Sequence, residues 1–153
     1  IAPLIVIWIG HGFWAVVAVA GLVSFLPILT NMTEGLLAVP APLQDLLRLY
    51  GASRVQRLIK LQLPNSLPFL VAGCKIASVG CVLGAVVGEI FVGVVSRPGL
   101  GWTIYEKRDT DVSGMFVAIL LSGLLGIALF FATSIIGDRL LLYWRDPTVD
   151  ERR

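Results

Sequence analysis

Few side chains in this sequence are of the types that make and break bonds, and their spacing keeps them apart. His11 is the sole histidine and sits between two glycines, Gly10 and Gly12. It has no neighbouring Ser, Cys or carboxylate cluster with which to build a nucleophile and base or a metal site, so we read it as a solvated turn residue. Cys74 and Cys81 lie seven apart on one helix face, a spacing that suits neither a zinc knuckle nor a disulfide. They read as small buried hydrophobes. The three lysines, Lys60, Lys75 and Lys107, all lack the Gly-x-x-x-x-Gly-Lys-Ser/Thr context of a phosphate loop. No nucleotide site is therefore expected in this chain, and an enzyme is disfavoured. Glu89 stands in an apolar stretch. Ionisable groups there usually face the interior of a helix bundle, which makes Glu89 a candidate for a solute path; a carboxylate solvated at the membrane interface is the other reading.

The elements that carry these residues are set by hydropathy. Of 153 residues, 57% are hydrophobic and 14% charged, against about 25% charged in soluble domains, and the mean hydropathy is +0.89. A helix needs about 20 predominantly apolar residues to cross a bilayer. Val112 to Gly137 meets this without one Asp, Glu, Lys or Arg. Ile1 to Thr33 is equally free of charge, but Gly10-His11-Gly12 interrupts it, which predicts a partial helix, a turn, and a second helix over about Phe13 to Leu29. A third span is expected over about Leu67 to Val95, with Lys75 snorkelling toward headgroups along its aliphatic stem. The expected fold is all-α: a multi-pass transmembrane bundle of about three full spans plus one partial N-terminal helix. Ile1 is not preceded by a charged n-region or a cleavage site, so the start reads as a cut edge within a membrane segment rather than a signal peptide. The net charge of +2 gives no argument for nucleic acid.

Basic residues orient the bundle. Arg48, Arg54, Arg57 and Lys60 fall in the connection over 31–66, and Arg139, Arg145, Arg152 and Arg153 in the tail over 138–153; the opposite side carries Arg97, Lys107 and Arg108. The positive-inside rule puts the connection and the tail in the cytoplasm. Trp8, Trp14, Trp102 and Trp144 fit an interfacial aromatic belt. Gly73, Ala77, Gly80, Gly84 and Gly88 form a small-residue stripe on one span, and Gly114, Ala118, Ser122 and Gly126 form another. Such stripes allow helix backbones to approach closely in lipid.

The connection is longer than a turnaround needs. Pro40 and Pro42 mark a helix start, Leu43, Leu46, Leu47 and Tyr50 share a face, and Gly51 breaks the run. Ser53 can cap a second short helix with Val55, Leu58, Ile59 and Gln62 on one face and Arg54, Arg57 and Lys60 beside it, ending at Leu63-Pro64. Two readings fit: a docking site for a partner protein, or an interfacial helix pair resting on anionic lipid. In the connection between Arg97 and Asp111, Pro98-Gly99-Leu100-Gly101 favours a turn followed by a short helix against the outer surface.

Asp45-Leu46-Leu47, three residues, Gly51, nine residues, Leu61, one residue, Leu63-Pro64 resembles the cytoplasmic EAA loop of ABC importer permeases. The first triplet departs, with Asp for Glu and two leucines for alanines. Trp8-Ile9-Gly10, Phe25-Leu26-Pro27, Gly51-Ala52-Ser53, Leu63-Pro64-Asn65-Ser66, Val86-Val87-Gly88-Glu89 and Gly99-Leu100-Gly101 occur in the order found in the nitrate/sulfonate/taurine/bicarbonate class of that family.

The resemblance implies one permease domain over 1–153 that lacks the family's first transmembrane helices, lying in the bacterial inner membrane. It implies an ATPase subunit docked on the 43–64 segment through Asp45, Gly51, Ala52, Ser53, Arg54, Leu63 and Pro64, with ATP-Mg bound on that subunit. Arg54 and Arg57 would meet acidic groups on the ATPase, or else face solvent or lipid. A second permease subunit in a homodimer and an extracytoplasmic solute-binding protein complete the implied assembly, and the connection over 96–111 would serve either as a binding-protein contact or as a simple connection. The alternative is an ATP-independent channel or secondary transporter.

Overall fold

A computed structural model describes residues 2–92 and 99–144. Every regular element among them is helical: α1 (Ala2–Ile9), α2 (Phe13–Leu37), α3 (Ala41–Leu49), α4 (Arg54–Arg57), a π turn over Leu58–Gln62, α5 (Leu63–Val92), α6 (Leu100–Lys107) and α7 (Val112–Trp144). Three are long and apolar enough to cross a membrane: α2, the continuous rod Arg54–Val92, and α7 over Val112–Leu142. The protein is thus an all-α multi-pass bundle with a partial helix, α1, before its first full span. Gly10, at φ 86°, closes α1 with its N–H on the Val6 carbonyl at 2.9 Å. The expected end of the third span, Gly93 to Val95, lies outside the described residues, as do Arg97, Pro98, the Trp144 side chain, and Arg145, Arg152 and Arg153.

The α5 stripe forms the main seam, against α2. A Cβ added at Gly84 would sit 2.8 Å from the Ala20 Cα, and one at Gly73 3.1 Å from the Ile28 Cα and the Pro27 carbonyl. At Gly88 it would meet Val16 and Val19 at 3.4 Å, and at Gly80 Val23 at 3.7 Å. As the α5 numbers rise the α2 numbers fall, so the two helices are antiparallel. Lipid tails are as apolar as these side chains, so close van der Waals packing, rather than escape from water, holds such a seam.

The α7 stripe behaves differently. Ala118 is buried at 3% exposure and Gly126 is buried too, but a Cβ at Gly126 would meet nothing within 4 Å, and one at Gly114 would meet Asp111 and Lys107. Between α5 and α7 lies a groove of about 500 Å³ bordered by Leu83, Val86, Ile119, Ser122, Gly126 and Phe130. Contact resumes at Gly137, which packs on Val71.

Three expectations change. The first full span continues to Leu37 rather than ending near Leu29, because its polar residues bond back to the helix: Asn31 Nδ2 donates to the Pro27 carbonyl at 2.8 Å and Thr33 Oγ1 to the Leu29 carbonyl at 2.8 Å. Leu63-Pro64 does not end the second short helix. The Leu63 N–H reaches back to the Leu58 carbonyl, and this widened turn relieves the clash a proline ring makes with the carbonyl four residues before it. Lys75 does not reach for headgroups either: its Nζ meets Asp138 Oδ1 of α7 at 2.8 Å.

Candidate functional site

The connection between α2 and α5 folds into an elbow whose geometry follows from three consecutive residues. At the end of α3, the Gly51 N–H donates to the Arg48 carbonyl at 2.9 Å and the Ala52 N–H to the Leu47 carbonyl at 3.0 Å. These two bonds satisfy the last carbonyls of the helix in a Schellman motif, whose turning residue must adopt positive φ. Gly51 does so at 71°. Ser53 then starts α4 with a reciprocal cap: its Oγ accepts the Gln56 N–H at 3.3 Å, and Gln56 Oε1 accepts the Ser53 N–H at 2.9 Å. One helix is closed and the next opened within Gly51-Ala52-Ser53.

Most of the elbow's apolar side chains find little cover from their own chain, Leu47 and Leu61 being half-buried exceptions. Leu43, Leu46 and Val55 are exposed, Tyr50 is 80% exposed and Ile59 59%. Prolonged by the rod, this end of the bundle presents greasy side chains next to arginines. Arg48, Arg54 and Arg57, with Gln44, Leu61 and Gln62, surround a cavity of about 260 Å³. Arg48 also lies 3.4 Å from Asp45, and both side chains are exposed.

Of the residues expected to act together, Gly51, Ala52, Ser53 and Arg54 share the elbow and Asp45 lies one turn back on α3. Leu63 and Pro64 do not join them. They begin α5 beyond the π turn, about 14 Å along the rod from Arg54 at the usual helical rise.

At the opposite end, Glu89 has partners that the sequence reading missed. Its Oε2 accepts the Gly101 N–H at 2.7 Å and, more weakly, the Trp102 N–H at 3.4 Å. The carboxylate therefore caps the first turn of α6, where free N–H groups and the positive end of the helix dipole favour an anion. A Cβ at Gly99 would fall on the Glu89 carboxylate and one at Gly101 on the Val86 carbonyl, which explains why Gly-Leu-Gly follows an acid in this chain. Glu89 also borders a cavity of about 200 Å³ with Cys81, Val82, Val86 and Leu125, and Val82 and Val86 line the larger α5–α7 groove as well. Cys74 and Cys81 are free thiols, His11 is exposed in its turn, and Trp8 and Trp14 are exposed on the apolar surface.

Just outside the last span, Asp111 caps α7. Its Oδ1 accepts the Gly114 N–H at 3.0 Å, and Oδ2 lies 3.2 Å from Lys107 Nζ. The Gly114 N–H first, and the Lys107 ammonium second, hold its carboxyl below the ordinary aspartate value.

Residues 1–142 match the binding-protein-dependent transport system inner membrane component family. The chain belongs to that family. Among similar permeases, the riboflavin transport system permease protein RibX of Chloroflexus aurantiacus is 36% identical over 145 residues, covering 94% of this chain and 53% of that protein. The formylaminopyrimidine transport permease protein ThiX of Halalkalibacterium halodurans is 35% identical over 148 residues, covering 95% of this chain and 57% of the other. The putative aliphatic sulfonates transport permease protein SsuC of Escherichia coli is 29% identical over 145 residues, covering 93% and 53%. This permease chain spans about half the length of the curated relatives it matches. Its apolar helices and its place in the family make it a multi-pass membrane protein.

Proposed function

We propose that this chain is the coupling half of the permease subunit of an ATP-driven importer in the bacterial inner membrane. The elbow over 43–64 docks on a separate ATPase subunit, which holds ATP-Mg, and the long rod carries the movement of that subunit into the bundle. The elbow and the tail face the cytoplasm; the excess of Arg and Lys at that end supports this. Two permease subunits, alike in a homodimer, enclose the path, and a solute-binding protein delivers cargo at the α6 end.

The observation that carries the reading is the elbow itself. A Schellman turn and a capping box fix its shape, yet its apolar face is left bare. A rigid, uncovered apolar surface next to charged residues marks a protein interaction site. Asp45, Gly51, Ala52, Ser53 and Arg54 form its centre, while Leu63 and Pro64 set the joint with the rod. Glu89 stands at the end of the α5–α7 groove, and we assign it to the border of the path. The cargo is a small organic solute. The nitrogen heterocycles named for two of the more similar relatives are the first to test, ahead of the sulfonates and bicarbonate named for others.

The test is Gly51→Val in the full-length permease assembled with its ATPase in proteoliposomes. A Cβ at Gly51 meets nothing within 4 Å, so the substitution acts on backbone conformation alone. Left-handed φ costs an L-residue about 1–2 kcal/mol, and more for a β-branched one. Membrane insertion should persist while uptake per ATP hydrolysed falls by about tenfold, and Gly51→Asn, which tolerates positive φ, should retain most of the coupling. Uptake undiminished in Gly51→Val, or uptake that proceeds with no ATPase present, would refute the proposal, and the latter would establish a channel or secondary transporter instead.

A further inference from the structure

The cavity inside the elbow is lined by three arginines and no acid, and one of the three, Arg48, is paired with Asp45 outside the lining. Arg48, Arg54 and Arg57 line it together with Gln44, Leu61 and Gln62. Arg57 Nε is buried without a hydrogen-bond partner. A buried donor left unpaired is costly, and a donor on a cation more so, and neither Gln44 nor Gln62 of the lining meets Arg57 Nε. At about 260 Å³ it exceeds a single ion's needs, since a water occupies about 30 Å³. It suits one anionic side chain with a few waters.

Two anion sources can be weighed from the fold. Lys75 and Asp138, the charged pair between α5 and α7, together with Asn31 and Thr33 on α2, mark where the apolar spans end. Gly73 faces Asn31 and Gly35 faces Phe69, so that level falls at about residues 69 to 75 of the rod. Arg57 lies 12 to 18 residues further along the rod, about 18–27 Å beyond that level at the helical rise. A headgroup layer is about 5–8 Å deep on each side. With the rod taken along the membrane normal, the cavity sits past the lipid headgroups. The exposed Tyr50, Val55 and Ile59 around it would gain nothing from a free ion in water, but would be covered by a protein.

We propose that this cavity receives an acidic side chain of the ATPase subunit, with the half-buried Arg57 as the anchor and Arg48 and Arg54 flanking the carboxylate. Guanidinium forks match carboxylates in two-point contacts that Lys cannot reproduce. In the assembled complex the apolar face supplies area and the cavity supplies register. This rests on the docking reading above and adds the charge of the group that docks.

The experiment measures binding of the cognate ATPase subunit to full-length permease in nanodiscs at low and high KCl, for wild type, Arg57→Gln and Arg57→Lys, with Leu46→Asp as a probe of the apolar face. Arg57→Gln should bind about tenfold more weakly at low salt and show a flatter salt dependence, with Arg57→Lys intermediate. In a parallel selection, the uptake defect of Arg57→Glu should be suppressed by Asp or Glu to Lys changes in the ATPase. Wild-type affinity and salt dependence in Arg57→Gln, while Leu46→Asp abolishes binding, would overturn the cavity proposal and leave docking intact. Binding unaffected by Leu46→Asp would instead remove the docking reading and this proposal with it. Arg57-dependent attachment of the permease loop to phosphatidylglycerol vesicles, or Arg57-dependent thermal stabilisation by inorganic phosphate, with ATPase binding unchanged, would also overturn it.

Discussion

Glu89 sits near the end of a membrane helix, where an unpaired carboxylate would be costly, and two backbone N–H groups of α6 meet it. Removing the carboxylate leaves the Gly101 N–H without its acceptor, at a cost of about 1–3 kcal/mol. Glu89→Ala should therefore loosen α6 from α5, whereas Glu89→Gln keeps an acceptor oxygen and should preserve most of the contact. The alkylation rate of Leu100→Cys, a half-buried position beside Glu89, reads the difference: a clear rise in the Ala background and little change in the Gln background. Equal rates in both would show that the hydrogen bonds do not anchor α6. Asp111 gives a second, pH-dependent test outside the membrane. Its carboxyl is held below the ordinary aspartate value because the Gly114 N–H, and after it Lys107, favour the charged form. A depressed carboxyl pKa contributes stability that is complete above the unfolded value and is lost as pH falls through the folded one. The titration midpoint of the Asp111 carboxyl, followed by NMR, should lie below that of an ordinary aspartate and move upward in Lys107→Met.

At the scale of elements, the seam between α2 and α5 and the groove between α5 and α7 give opposite expectations for the same substitution. Gly84→Leu forces a side chain into the Ala20 backbone and should destabilise the bundle by about 1–3 kcal/mol or more, the usual cost of overpacking. Gly123→Leu enters open space and should leave thermal stability in nanodiscs unchanged; a comparable loss in both would contradict the assigned seam. The α5 stripe was legible in the sequence because small residues at helical spacing are a one-helix pattern. The elbow was legible for the same reason, since Gly51 and Ser53 act on neighbours within a turn. The α7 stripe was legible as the face turned to the bundle, since Ala118 and Gly126 are buried and Gly114 and Ser122 half-buried, but spacing alone cannot say how closely the partner helix approaches at Gly126. Pairings between distant segments were hidden too: Lys75 with Asp138 and Glu89 with Gly101 depend on helix register that no single stretch encodes. The joint at Pro64 was misread because a proline ordinarily ends a helix, and only the π turn before it allows the rod to continue.

Across the whole molecule, those hidden pairings have a common geometry. The rod Arg54–Val92 has 39 residues, so it runs about 58 Å at the helical rise, from the elbow to the far membrane face. It is fastened to α7 by Lys75 and Asp138 at one level and to α6 by Glu89 at the other, with the groove open between. In the proposed coupling, a push on the elbow would tilt the rod about its ends instead of sliding it freely past α7. The Lys75–Asp138 pair is the anchor nearer the elbow, and Ser134 Oγ adds a hydrogen bond to Asp138 Oδ2 at 3.2 Å. Breaking one partner leaves a lone charge at the edge of the hydrocarbon, while replacing both by apolar residues of similar size removes the liability together with the bond. Lys75→Met and Asp138→Leu should each lower the thermal stability of the full-length permease in nanodiscs, and the double variant should recover most of the loss, a positive coupling in a double-mutant cycle. Additive losses in the double variant would mean that the two side chains act separately and that the rod is held to α7 by packing at Gly137 and Val71 alone.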